Sequence, residues 1–154
     1  MSNDERNHKI TNTINELITV CAEGERGYKN ASERVDEKEF KTILYRLSQQ
    51  RALFRSELEN ELIKDFGQEA KGDDSLLSKF HRGWMDFKAG LKGNDSKAVF
   101  DECIRGENHA IDKYMDALKK NLPNYLEERV KNQLEMIKGT LIQLREFESE
   151  VTHN

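Results

Sequence analysis

The sequence has few of the residues that interrupt helices or cross-link chains. It contains one proline and two cysteines, and aromatic residues make up 8% of the chain. No stretch approaches the ~20 apolar residues that a membrane-spanning helix needs. No block of clustered lysine and arginine is available to bind nucleic-acid phosphates. We therefore expect a protein that neither crosses a membrane nor binds nucleic acid.

Charged residues make up 35% of the chain, with both signs interspersed, and the net charge is -4. This composition is typical of a helical bundle with solvated outer faces. The length suits one domain spanning residues 1–154, whose ends at 1–8 and 150–154 are expected to fray. Residues 1–5 lack the pattern of a secretory signal, so we expect a cytoplasmic protein with reduced cysteines.

Four long segments carry apolar residues at spacings of three and four, which predicts four amphipathic helices. The first covers about residues 9–34 and the second about residues 36–65. The third begins near Asp95, which can cap it, and ends before Pro123. The fourth continues to about residue 150. The predicted fold class is therefore all-α.

The second and third helices are joined by a long segment, in which a shorter amphipathic helix is predicted around Phe80, Trp84 and Phe87. A bundle with up-down-up-down topology needs only short loops. The long connection instead favours two antiparallel hairpins joined by a crossover that contains a short fifth helix. The second and third helices would then be parallel. The apolar face of the crossover helix is a candidate contact for a homodimer.

A short motif occurs twice, as CAEGE at residues 21–25 and as CIRGE at residues 103–107. The repeat indicates duplication of a helical hairpin, and its spacing places Glu25 and Glu107 on the core-facing stripes. A buried carboxylate needs a partner, because leaving it unpaired costs several kcal/mol. The glycines inside these helices, Gly24, Gly27 and Gly106, are expected to allow either close helix approach or local widening of the helix.

Glutamines occupy the matching heights on the other two helices, so a polar layer is predicted at mid-bundle. Its members are Glu25, Glu107, Gln50 and Gln133. One interpretation is a closed hydrogen-bond network that also includes Arg51, Tyr28 and Tyr114. The other is one divalent metal ion, such as Ca²⁺, Mg²⁺ or Mn²⁺, held by two carboxylates and two amide oxygens.

Three sequence features carry a resemblance to a known family. They are LSQQR at residues 47–51, HRGWM at residues 81–85 and the two Cys-x-x-Gly-Glu motifs. Together they resemble a bacterial family of ferritin-like four-helix-bundle proteins classified as a domain of unknown function. The resemblance covers roughly residues 10–148 and implies a ferritin-like bundle. It implies no established activity.

Ferritin-like di-iron proteins use a Glu from each of two helices and Glu-x-x-His from each of the other two. Carried over to this chain, the latter motifs become Gln50 with Leu53 and Gln133 with Met136. A degenerate di-iron layer is therefore expected. The predicted function is a non-catalytic structural or binding protein. The resemblance also implies a role in stress response, as some ferritin-like relatives have. The alternative is a metal-binding protein or metal-dependent oxidoreductase that uses Glu25 and Glu107.

Overall fold

The computed structural model describes residues 2–67 and 95–153, and these residues form four α-helices without β-strands. The helices are α1 (Asn3–Ser32), α2 (Lys38–Phe66), α3 (Ser96–Leu118) and α4 (Asn124–His153). The predicted all-α class with four long helices is confirmed. The predicted crossover helix, and with it the proposed homodimer contact, lies outside the described residues.

Side-chain caps determine where two of the helices begin. The Ser2 hydroxyl accepts a hydrogen bond from the backbone N–H of Glu5 at 3.2 Å, so α1 begins earlier than the apolar pattern predicts. Asp95 caps α3 by accepting from the N–H of Ala98 at 3.2 Å, as its sequence position suggested. Such caps satisfy backbone N–H groups that have no partner within the helix.

The contacts between helices define their directions. Short turns join α1 to α2 and α3 to α4, so each pair forms an antiparallel hairpin. Lys113 of α3 contacts Glu16 of α1 at 3.1 Å, and His109 contacts Glu23 at 3.8 Å. Later residues of α3 thus contact earlier residues of α1. These two helices are antiparallel, and α2 and α3 therefore run in the same direction.

Polar contacts place α2 beside α4. Arg129 of α4 donates to Glu57 of α2 at 2.8 Å, and Gln133 donates to the backbone carbonyl of Phe54 at 3.3 Å. Since α1 packs against both α2 and α3, and α4 packs against α3, these neighbours leave α2 and α3 at opposite corners of the bundle. A contact between α2 and α3 must cross the core.

The apolar core consists of two clusters separated at mid-bundle. One cluster contains Cys21, Phe54 and Ala110, and the other contains Leu47 and Cys103. In the second cluster the rings of Phe40, Phe100 and Phe147 pack with centroids 4.9–5.9 Å apart. Between the clusters lie two buried charged residues, Arg51 and Glu107. Within the described part of the chain, no helix is sufficiently long and apolar to span a membrane.

Substitutions at two glycines test the backbone conformations of the helices. Gly67 ends α2 with a φ of 60°, and an added methyl group would meet no atom within 4 Å in the part of the chain that the structure describes. We expect Gly67→Ala to lower the free energy of unfolding by about 1 kcal/mol, because the left-handed conformation strains alanine. Urea unfolding followed by circular dichroism measures the change.

Gly139 is the matched control, since it lies inside α4 and an added methyl group there also meets nothing within 4 Å. Gly139→Ala should raise the free energy of unfolding by up to about 1 kcal/mol through helix propensity. Shifts of the same sign in the two variants would contradict the assigned backbone conformations.

Candidate functional site

An ion pair between α2 and α3 forms the centre of the polar layer. Nη2 of Arg51 donates to Oε2 of Glu107 at 2.5 Å, and each side chain is only 2% exposed. Because α2 and α3 occupy opposite corners, this pair spans the core. Each buried charge compensates the other, so the pair adds no net charge to the layer.

The Arg51 side chain packs against aromatic rings and a glycine. Its guanidinium carbon lies 5.5 Å from the ring centroid of Tyr28 and 5.9 Å from that of Phe54. A methyl group on Gly24 would lie 3.1 Å from Cγ of Arg51. Gly24 therefore makes room for an arginine side chain. From the sequence, a close approach of two helices was expected at this glycine.

Electrostatics keep Arg51 charged. Burial by itself would lower the pKa of Arg51, but the adjacent Glu107 carboxylate outweighs it and the pKa is raised. Tyr28 is also buried, and burial together with the negative charge of Glu107 raises its pKa well above the usual value. Near neutral pH the guanidinium is thus a fixed cation and the phenol a neutral group.

A second polar group lies further along the bundle, around Tyr114. The Tyr114 hydroxyl donates to Oε1 of Gln133 at 2.6 Å and lies 3.1 Å from Sγ of Cys21. Nε2 of Gln133 donates to the Phe54 carbonyl and to Glu57 at 3.1 Å. This network joins α1, α2, α3 and α4 through buried hydrogen bonds, which supports a role in setting helix register.

Both cysteines are free and buried. Burial raises the pKa of the Cys21 thiol to about 11 and also raises that of Cys103, so both are protonated at neutral pH. A thiol is a weak nucleophile and metal ligand compared with a thiolate. The two residues therefore act as core side chains.

The four residues predicted as metal ligands differ in burial and in their partners. Glu107 and Gln133 are buried, but Glu25 is 30% exposed and pairs with Arg55 at 2.8 Å at the edge of the layer. Gln50 is half-buried, because the inward position between Leu47 and Phe54 belongs to Arg51. The sequence pattern thus predicted Gln50 as the inward-facing residue of α2, whereas the buried residue is Arg51, the next one along the chain.

The two positions that would carry di-iron histidines face outward. Leu53 is 57% exposed and Met136 is 50% exposed. Within the described ranges, no three His, Cys, Asp or Glu residues lie close enough together to hold a metal ion. With Glu107 paired to a guanidinium, the layer does not fit a di-iron centre. Binding of a single ion by Glu25, Glu107, Gln50 and Gln133 stays a prediction.

A cavity of about 430 Å³ opens beside the ion pair, between α1 and α3. Its interior includes Tyr28, Arg51, Cys103 and Glu107, and its wall includes Val20, Gly24, Gly27, Gly106 and Ala110. An added methyl group on Gly106 would meet no atom of the described residues within 4 Å. Close helix approach is therefore the wrong explanation for Gly106. This glycine borders open space. The spacing of apolar residues in the sequence does not reveal such a cavity.

Comparisons with known proteins identify one family. The family model described as "Domain of unknown function (DUF2383)" matches residues 9–120, a range that covers nearly all of α1 together with α2 and α3. No curated protein matches the chain.

Removing one member of the buried ion pair leaves the other without its counter-charge. We expect Arg51→Met and Glu107→Gln each to lower the free energy of unfolding by about 3–5 kcal/mol. The double variant should lose much less than the sum of the two single losses, because no unpaired charge remains. Urea unfolding of all four proteins measures this coupling, and strictly additive losses would contradict it.

The Arg55–Glu25 pair is the matched control at the edge of the layer. Its atoms are 2.8 Å apart, but the side chains are 36% and 30% exposed. Arg55→Met and Glu25→Gln should couple by less than about 1 kcal/mol, because water screens a partly exposed pair.

The raised pKa of Glu23, which lies at the rim of the cavity, can be tested through the pH dependence of stability. Burial raises its pKa from 4.5 to about 7, and Lys113 only partly offsets this. The folded protein thus favours the protonated carboxyl. Protonation of Glu23 therefore contributes fully to the free energy of unfolding below pH 4.5, and this contribution is lost as the pH rises to about 7. Glu23→Gln mimics the protonated form, so its stability relative to wild type should increase across this window.

Unfolding free energies measured from pH 4 to pH 8 test this expectation. Because His109 lies 3.8 Å from Glu23, the comparison is repeated in a His109→Gln background, which removes the imidazole. A difference between Glu23→Gln and its parent that stays constant across the window would show that the carboxyl is not desolvated.

Proposed function

Since this chain belongs to the family described as "Domain of unknown function (DUF2383)", we propose its function from the polar layer. It is a non-catalytic structural and binding protein of the cytoplasm, built as a ferritin-like bundle whose di-iron layer has been replaced by an internal ion pair. The observation that carries this proposal is the buried contact of Arg51 with Glu107 at 2.5 Å.

Charge balance is the physical basis of the proposal. In a di-iron bundle the metal ions neutralise a layer of buried carboxylates. In this chain the guanidinium of Arg51 supplies the positive charge that Glu107 needs, and both side chains are buried. A cation entering the layer would be repelled by Arg51, which has no route to lose its charge at physiological pH.

The protonation states of the layer also support a non-catalytic role. Catalytic acids and bases work best with pKa values near the operating pH. The pKa values of Tyr28 and Tyr114 lie well above their usual values because of burial, and that of Cys21 is about 11. These groups hold their protons near pH 7, so they support packing and hydrogen bonding better than proton transfer.

The helix directions support the ferritin-like assignment. Antiparallel hairpins, with α2 and α3 parallel, need a long connection between the second and third helices, as in bundles with one crossover. A role in stress response rests on the resemblance to ferritin-like proteins alone.

The alternative function is metal binding or metal-dependent oxidation through Glu25 and Glu107. It would require Glu107 to exchange its guanidinium partner for a metal ion and Glu25 to turn inward from Arg55. Both rearrangements would leave an arginine without its present partner, one of them buried.

Iron binding separates the two functions. We expect metal-free wild-type protein to bind no stoichiometric Fe(II) in an anaerobic titration and to show no iron-stimulated oxygen consumption, because Arg51 repels cations from the layer. Glu25→Gln serves as the control, since it removes a proposed ligand at a partly exposed position where folding should persist. One bound ion per chain that Glu25→Gln abolishes would overturn the non-catalytic function and favour the alternative.

A further inference from the structure

The cavity between α1 and α3 has the features of a small-molecule site. Its volume of about 430 Å³ falls within the range of ~300–1,000 Å³ that is common for ligand pockets. Val20, Ala110 and the glycines provide a largely apolar wall, and Arg51, Glu107 and Tyr28 provide a few polar groups. Such a combination gives affinity through burial of apolar surface and orientation through hydrogen bonds.

The mouth of the cavity is accessible. Arg105 and His109 line it and are exposed side chains, and Gly106 between them is also exposed. Arg105 pairs with Glu102, which also lines the cavity. A ligand can therefore enter from solvent without separating the helices.

Glycine at position 106 keeps the mouth open. Glycine inside a helix costs about 1 kcal/mol relative to alanine, and packing within the described chain does not require it here, because an added methyl group meets no atom within 4 Å. A larger side chain at this position would instead occupy the entrance.

A buried donor defines the polar end of the ligand. Nε of Arg51 is buried and has no hydrogen-bond partner among the described residues. Leaving a buried donor unsatisfied costs about 1–3 kcal/mol, so an acceptor that reaches it would bind favourably. Carbonyl oxygens are suitable acceptors.

The surrounding charges select a neutral molecule. Arg51 and Glu107 already neutralise each other, so a charged ligand would lose its hydration without gaining an unpaired counter-charge. A cation would also be repelled by Arg51. An anion would likewise be repelled by Glu107.

We propose that this cavity binds a small, neutral, mainly apolar molecule whose carbonyl-type oxygen accepts a hydrogen bond from Arg51. This inference rests on the proposed binding function and adds to it the chemical class of the ligand. Iron binding would overturn the non-catalytic function, whereas the ligand site is tested by separate measurements.

Three aromatic probes of similar shape test the charge preference: benzamide, benzoate and benzylammonium. Each is titrated into ¹⁵N-labelled full-length protein and followed by amide chemical shifts. Benzamide should shift the amide signals of Gly24, Gly27 and Gly106, and should bind at least about tenfold more tightly than either charged probe, a difference of about 1.4 kcal/mol. Equal binding of the three probes, or shifts confined to other residues, would overturn the proposal.

Gly106→Leu tests the location, because its side chain should occupy the cavity mouth and weaken benzamide binding at least about tenfold. Gly139→Leu is the matched control, since an added methyl group there also meets no atom and Gly139 does not line the cavity. It should bind benzamide as wild type does. Unchanged binding by folded Gly106→Leu would refute the site, and the shifts in wild-type protein decide the case if that variant fails to fold.

Discussion

The buried ion pair of Arg51 with Glu107 is the constraint on which the arrangement of the bundle depends. It crosses the core between helices at opposite corners, so helix register and rotation must bring two charges within 2.5 Å. Any slip would leave a desolvated charge, which costs far more than a misplaced methyl group. The same pair divides the apolar core into two clusters, and the arginine stem packs closely against Gly24.

This constraint also connects stability with the proposed function. In the proposed function the two charges neutralise each other without a metal ion, and Nε of Arg51, which has no hydrogen-bond partner among the described residues, is the donor for a ligand. The thiols and phenols nearby hold their protons because they are buried. These features are the basis on which we propose reversible binding of a neutral molecule at this site.

Much of the fold and part of the site could be predicted from the sequence. The spacing of apolar residues predicted four long helices, and the buried position of Glu107 followed from its place seven residues after Phe100. Arg51, Tyr28 and Tyr114 were anticipated as partners in a polar network. The predicted rotation of α2 is wrong, since Gln50 and Arg51 both fit the three-and-four spacing between Leu47 and Phe54, and only packing shows that Arg51 is the buried one. Glu25 was likewise placed too deep in the core.

The sequence by itself determined the helices, their amphipathic faces and the presence of polar residues on the buried stripes, because these depend on local periodicity. Only the tertiary structure decided which polar residues meet. Glu107 pairs with Arg51 across the bundle, whereas Glu25 pairs with Arg55 at the edge. The cavity beside Gly106 also emerged only in three dimensions, because an empty space is a property of how helices pack and leaves no period in any one of them.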